Sequence, residues 1–299
     1  MSLDIDSDDE EIDPDSIRGI FGLDFRTADT LYQILLSISA ALFFVLIMFP
    51  IYWMLQSSLK TRNGREAITW LPTGETFTPK YYTDLIGSSV GTYIFNSVVV
   101  TLGTIVLVVI VSLIAGYGLA RLEFGHKENF ARFLLFGYMF SPIVLGLPLY
   151  LIWRNLGLLG TRVGLIIALT AISMPFSVWL MWKYIQTIPE AMEESAWVAG
   201  ASRWRGFRDV VIPQTTPAII ASALFAFALA WNDYTFASIL LPEQQQMTFA
   251  PGLLQLINTG YGAPWGQVMA VSMLTTIPPL LFAYFLQSYL LKGFQIRSL

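Results

Sequence analysis

The sequence predicts an all-α integral membrane protein of six transmembrane helices with both termini in the cytoplasm. Three observations predict it: the composition, six apolar stretches of spanning length, and the basic residues between them. Hydrophobic residues make up 55% of the 299, charged residues only 13%, and mean hydropathy is +0.60. Soluble domains carry about 25% charged residues, so about half the usual charge is missing. A hydrocarbon core about 30 Å thick takes about 20 apolar residues of helix. Leu31–Leu55, Ile94–Ala120, Phe130–Trp153, Val163–Trp182, Ala218–Leu241 and Val268–Leu291 each meet that length.

Basic residues in short loops set orientation. With the N-terminus inside, the inner segments hold Arg121, Lys127 and Arg132; Lys183, Arg203, Arg205 and Arg208; and Lys292 and Arg297. Arg154 and Arg162 fall on the outside in the short connection after the third span, and Lys60, Arg62, Arg65 and Lys80 in an outer loop whose length reduces its weight in this rule. The expected organisation is an acidic, disordered cytoplasmic tail over 1–30, a first transmembrane helix over 31–55 and an extracytoplasmic loop over 56–90. A membrane domain over 91–287 and a cytoplasmic tail over 288–299 complete it. Eight of the 21 acidic residues lie between Asp4 and Asp15, so the net charge of −4 mostly describes that tail. The N-terminus has no basic stretch ahead of its first apolar run and does not look like a cleaved signal peptide.

Composition also excludes functions. Nucleic acid is not an expected partner, because no basic face is available to neutralise phosphates. With zero cysteines there is no thiol chemistry, and the single histidine, His126, cannot build a histidine metal site alone. No G-x-x-x-x-G-K-[ST] phosphate loop occurs. No catalytic residue, metal or cofactor is therefore expected on this chain.

The loop between the fourth and fifth spans, 186–217, is the most informative segment. Thr187 followed by Glu190 fits a capping box, with Pro189 in the first turn, and predicts a helix over 188–199. Ala191, Ser195, Ala196 and Ala199 give that helix a small-residue face, and Glu190, Glu193 and Glu194 an acidic one. Gly200 ends it, as a residue that accepts positive φ. Ser202 can cap a second helix, where Trp204, Phe207 and Val211 recur at helical spacing, and Pro213 is expected to stop it. Two short helices hinged at a glycine make an elbow that another protein can approach closely.

Here the residues resemble a known family. Glu194-Ser195-Ala196, three residues, Gly200, nine residues and Val210-Val211-Ile212-Pro213 is similar to the signature loop of binding-protein-dependent ABC importer permeases. Ser195, Val210 and Ile212 depart conservatively, and Ala199 stands where the family usually has aspartate. Stretches beginning at Asn96, Ser141 and Ala228 resemble the smaller permease subunit of maltose-type sugar importers, and the likeness runs from about Ile94 to Gly293. The resemblance implies a type I ABC importer permease fold over 91–287 in the plasma membrane. It implies a sugar, a di- or oligosaccharide, as cargo. The implied partners are a second permease subunit, an ATP-binding cassette ATPase dimer carrying the ATP and Mg, an extracytoplasmic solute-binding protein and membrane lipid. Glu194, Ala196, Gly200 and Pro213 take the role of ATPase coupling. Arg203, with Arg205 and Arg208, faces either that ATPase or anionic lipid headgroups.

Asp233 is the one acid well inside a span, and burying a charge there costs several kcal/mol. Two readings stand: an acid solvated at the interface between Trp231 and Tyr234, or a pathway or inter-subunit contact made with Asn232. Prolines 142, 148, 175, 278 and 279 fall inside spans and predict kinks. Tyr261 and Trp265 are aromatic residues near the outer surface that either anchor the interface or meet sugar or the binding protein. A secondary transporter is the main competing class, but it calls for ion-binding acids at the midplane, and five of the six spans have none.

Overall fold

A computed structural model describes residues 25–67, 69–86, 88–123, 125, 127–257 and 265–295. The expectations for residues 1–24, His126 and Tyr261 lie outside them. Among the described residues the chain is helical, with one isolated antiparallel bridge between Lys60 and Phe77. It divides into two units at Gln56/Ser57. The first unit is nearly all of α1, Phe25–Ser58. Its apolar side chains from Leu31 to Leu46 are exposed, the surface a span offers to lipid. The helix begins six residues before Leu31, so the last part of the expected tail is helical.

From Ser57 onward the order is α2 (Arg62–Glu66), a 3₁₀ turn (Gly74–Thr76), α3 (Lys80–Leu85), α4 (Ser89–Arg121), α5 (Lys127–Phe136), a 3₁₀ turn (Gly137–Met139), α6 (Pro142–Leu156) and α7 (Arg162–Ile185). Then come α8 (Glu190–Val198), α9 (Arg203–Gly206), a π turn (Phe207–Val211) and α10 (Ile212–Gln214). Last are α11 (Thr216–Trp231), α12 (Thr235–Leu240), a 3₁₀ turn (Gln244–Gln246), α13 (Phe249–Ile257) and α14 (Trp265–Gln295). Helix α14 continues through most of the expected C-terminal tail.

Among the described residues, four helices are long and apolar enough to cross a bilayer: Asp29–Ser58, Ser89–Arg121, Arg162–Ile185 and Trp265–Phe285. Six spans are reached only if two bent pairs each count as one. The expected single span over Phe130–Trp153 is bent by 100° between Met139 and Pro142, more than a kink. Pro142 occupies the first turn of α6, where a missing N–H leaves nothing unsatisfied, so the proline starts a new helix instead of kinking an old one. The second bent pair joins Arg203–Gln214 to Thr216–Trp231 at 71°, and the expected fifth span over Ala218–Leu241 is interrupted: α11 stops at Trp231, and α12 restarts at Thr235.

The core is α4 against α7, with α11 across both. Small residues bring the backbones together, as in other helix pairs in lipid. A Cβ on Gly116 would lie 2.6 Å from Met181 Cβ and 2.9 Å from the Trp182 backbone nitrogen. Hydroxyls in this seam bond to their own helices: Thr104 Oγ1 donates to Val100 O at 2.8 Å, and Ser173 Oγ to Leu169 O at 2.8 Å. One apolar cluster at the Arg121 end joins Leu113, Met181, Trp182, Ile185, Phe207 and Val211. A second, at the other end, centres on Val100, Trp153, Leu165, Phe236 and Leu240. Trp153 Nε1 donates to Gly164 O at 2.8 Å and fastens α6 to α7.

At the start of α4, fully buried Asn96 donates from Nδ2 to Gln245 O at 2.9 Å and Met247 O at 2.8 Å. The next residue, Ser97, accepts at Oγ from the Phe249 N–H at 2.8 Å. The loop after α1 is ordered by its own basic residues. Buried Lys60 donates to the Thr69 carbonyl, and Arg65 stacks 5.0 Å over the Tyr81 ring.

Candidate functional site: a hinged elbow between α7 and α11

The elbow expected within 186–217 is formed, with several local corrections. Thr187 does not cap the first helix. Its Oγ1 donates to Tyr184 O at 2.7 Å, closing α7, while Pro189 occupies the N-cap position of α8 without a side-chain bond. Hence α8 covers Glu190–Val198 instead of 188–199. Glu190 and Glu193 in its first turn complement the positive helix end.

The end of α8 is a Schellman turn. Ala201 N–H bonds to Ala196 O at 3.0 Å and Gly200 N–H to Trp197 O at 2.9 Å, with Gly200 at φ +90°. Ala196 and Gly200, singled out by spacing, are thus the acceptor and the hinge of one closure. Ser202 caps the second helix as expected, accepting the Arg205 N–H at Oγ over 3.3 Å.

Pro213 does not stop that helix. The chain passes through it as a π turn and then α10, bending by 71° into α11 at Thr215. An α-helix would press the proline ring against the carbonyl four residues earlier, and the wider π turn relieves that contact. The expected apolar stripe is split: Phe207 and Val211 are buried, whereas Trp204 is 65% exposed.

The acidic face is not uniform. Glu194 is exposed, but Glu193 is 1% exposed and accepts from Arg121 Nε at 2.6 Å and Tyr117 OH at 2.9 Å. Arg121 also donates from Nη2 to Ile188 O at 3.0 Å and reaches Glu190 Oε1 at 3.5 Å. The last turn of α4 thereby grips both the entry to α8 and its first turn. Charge-assisted, multidentate bonds of this kind are stronger than neutral ones. The Tyr117 and Phe207 rings pack 4.5 Å apart at a tilt of 54°, and Arg203 lies 5.6 Å over Trp197. A groove of about 510 Å³ runs between α4 and the elbow, lined by Tyr117, Arg121, Glu193, Trp197, Arg203 and Phe207 among others. On the outer side of the second helix, Arg208 Nε donates to Asp209 Oδ1 at 2.7 Å, which holds the Asp209 carboxyl below its ordinary value.

Sequence reasoning missed Tyr117 and Arg121. Arg121 counted only toward orientation, and nothing local pairs it with a glutamate 72 residues on. The available signal was a lone arginine ending a long apolar run, with surplus acids on a later short helix.

Asn232 and Asp233 sit at the other end of α11, about 24 Å of helix from Thr215 at 1.5 Å per residue. Asn232 Nδ2 donates to Ala228 O at 2.8 Å. Asp233 accepts at Oδ1 from the Phe236 N–H at 3.3 Å and at Oδ2 from the Ala237 N–H at 2.9 Å, so it holds the first turn of α12. Asparagine keeps one acceptor oxygen and turns its NH2 toward the second N–H, while alanine removes both acceptors and costs about 1 kcal/mol at such positions. We expect Asp233→Asn to lower the melting temperature in detergent by less than Asp233→Ala does. Equal losses in both variants would show that the turn is held only when both carboxylate oxygens accept.

Comparison with known proteins places this architecture. Residues 112–295 match the family described as binding-protein-dependent transport system inner membrane component. The chain is 31% identical over 258 residues to the inner membrane ABC transporter permease protein YcjP of Escherichia coli, covering 85% of this chain and 91% of that one. It is 29% identical to the diacetylchitobiose uptake system permease protein DasC of Streptomyces coelicolor, covering 86% and 93%. Its identity to the trehalose/maltose transport system permease protein MalG of Thermococcus litoralis is 28%, covering 91% and 98%. A chain of a bacterial ABC transporter involved in the import of the acidic polysaccharide alginate shares the fold, with a TM-score of 0.76 at 21% identity, covering 88% of this chain and 97% of that one.

The apolar helices and these likenesses define a multi-pass transport protein of the plasma membrane. The chain belongs to the binding-protein-dependent transport inner membrane component family, the permease subunits of ABC importers.

Proposed function

We propose that this subunit carries a sugar, a di- or oligosaccharide, into the cell by alternating access driven by a separate ATPase dimer that holds ATP and Mg. It works beside a second permease subunit and receives cargo from an extracytoplasmic solute-binding protein. The sugar assignment rests on relatives named for diacetylchitobiose uptake and for trehalose and maltose transport. The observation that carries the mechanism is the glycine-closed elbow, which presents Glu194, the small face around Ala196, and Arg203 on two short helices that meet at Gly200. In this reading the elbow lies in the cytosol and seats on the ATPase, Gly200 fixes its angle, and the helical run through Pro213 passes its movement into α11.

Val198, 90% exposed at the end of α8, is the place to test this. A photoreactive amino acid there, in cells expressing the complete importer, should capture a polypeptide that contains a nucleotide-binding phosphate loop. The same group at Ile86, 82% exposed after α3, should not capture it. Capture of lipid alone at Val198 would overturn the assignment.

A further inference from the structure

We propose that Glu193 and Arg121, supported by Tyr117, are the joint that makes the elbow and α4 move as one body. The inference rests on the coupling role proposed above and assigns to α4 a part that the loop motif does not give it. By covalent connection the elbow leads only into α7 and α11. Neither connection runs straight: the chain bends by 71° at Thr215 on the way into α11 and turns after Ile185 on the way out of α7.

Besides the apolar packing of Phe207 and Val211 against α4 and α7, one charged contact ties the elbow directly to α4. The Glu193 carboxylate, 1% exposed, is held through both oxygens, Oε1 by Arg121 Nε at 2.6 Å and Oε2 by Tyr117 OH at 2.9 Å. The same guanidinium donates to Ile188 O at 3.0 Å, ahead of α8, and its side chain is only 11% exposed. One arginine thus spans the junction from α7 to α8 and is rooted in the last turn of α4. A buried charge deprived of its partner is left uncompensated, so this contact does not slide; it holds or it breaks. Helix α4 in turn packs along α7 and under α11 and reaches Asn96 at the far end of the molecule. Displacement of the elbow is therefore delivered to the α4 end as a rigid movement. Glu193, Arg121 and Tyr117 are positioning residues in this account; they keep the exposed face of α8 in register with the membrane helices.

The chain has no cysteine, so a pair of introduced cysteines can be spin-labelled specifically on the purified chain before the importer is assembled. Ala191 on α8 is exposed, and Gly91 near the start of α4 is exposed with open space around a new side chain. In the complete importer, the distance between labels at these two positions should have the same mean without nucleotide and with ATP–vanadate. With Glu193→Gln, which keeps the shape and removes the charge, the mean should shift by about 2 Å between the two states, the scale of helix movements in such transitions. Arg121→Lys, which keeps the charge but cannot span to Ile188, should shift less and serves if Glu193→Gln does not fold. A parent chain whose distance itself changes with ATP, or variants whose distances match the parent in both states, would overturn the joint. A parent importer that recruits no ATPase would overturn the coupling reading instead, and the two failures are distinguishable because label distances are also read in the isolated chain.

Discussion

Gly116→Ala should destabilise the protein although it puts a better helix former into a helix interior. Alanine is favoured over glycine there by about 1 kcal/mol. Against that gain, the new Cβ would lie 2.6 Å from Met181 Cβ, 2.9 Å from Trp182 N and 3.0 Å from Met181 C. Two of those atoms are backbone of α7, so no rotamer change relieves the contact and the helices must part. Overpacking costs about 1–3 kcal/mol, and a contact with backbone that cannot yield falls at the upper end, so the clash exceeds the propensity gain by about 2 kcal/mol. At about 2–4 °C per kcal/mol for a domain of this size, Gly116→Ala should lower the melting temperature by about 4–8 °C. Gly116→Leu should prevent accumulation of folded protein. Gly91→Ala, where a Cβ meets nothing within 4 Å, is the control and should not destabilise. Equal melting temperatures for Gly116→Ala and Gly91→Ala would mean that α4 and α7 are not in backbone contact.

The second large effect is expected at the hinge. A Cβ on Gly200 would also find open space, so sterics with neighbours play no part. Its φ of +90° is the obstacle, since L side chains rarely adopt it and a β-branched one least of all. Strain of about 1–3 kcal/mol for such a residue converts to at least about a fivefold loss of the native turn. Gly200→Val should reduce recovery of the ATPase with the purified permease by at least that factor, while the permease still accumulates in the membrane. Gly200→Asn should lose less, because asparagine tolerates positive φ. Undiminished ATPase recovery with Gly200→Val would remove the hinge from the coupling role.

The elbow was legible because its signals are local. A glycine that must take positive φ and a serine one helical turn before the amide it caps are decided within a few residues, and both stand as expected at Gly200 and Ser202. Long apolar runs were legible for the same reason, which is why α4, α7 and α14 fall close to their expected places. The failures share a different cause. Pro142 reads the same whether it kinks a span or opens a new helix, and only the neighbours of α6 decide. Pro213 was expected to break its helix, and a π turn absorbed it. Among the glutamates of α8, no sequence rule separates buried Glu193 from exposed Glu194, because the partners of Glu193 lie 72 and 76 residues earlier on another helix. Asp233 drew attention as a charge in a span, whereas its nearest partners are backbone amides a turn away, where α11 gives way to α12.

The clasp at Asn96 bears on the order in which the molecule is made. Its amide is fully buried, and its acceptors lie 149 and 151 residues later. A ribosome delivers the N-terminal portion first, so α4 enters the bilayer with this amide unanswered until Met247 has been synthesised. Until then the early helices exist as a provisional bundle with a polar vacancy at one end. Arrival of the loop after α12 closes it, and a nascent chain halted before residue 245 should be the form most readily taken by membrane proteases.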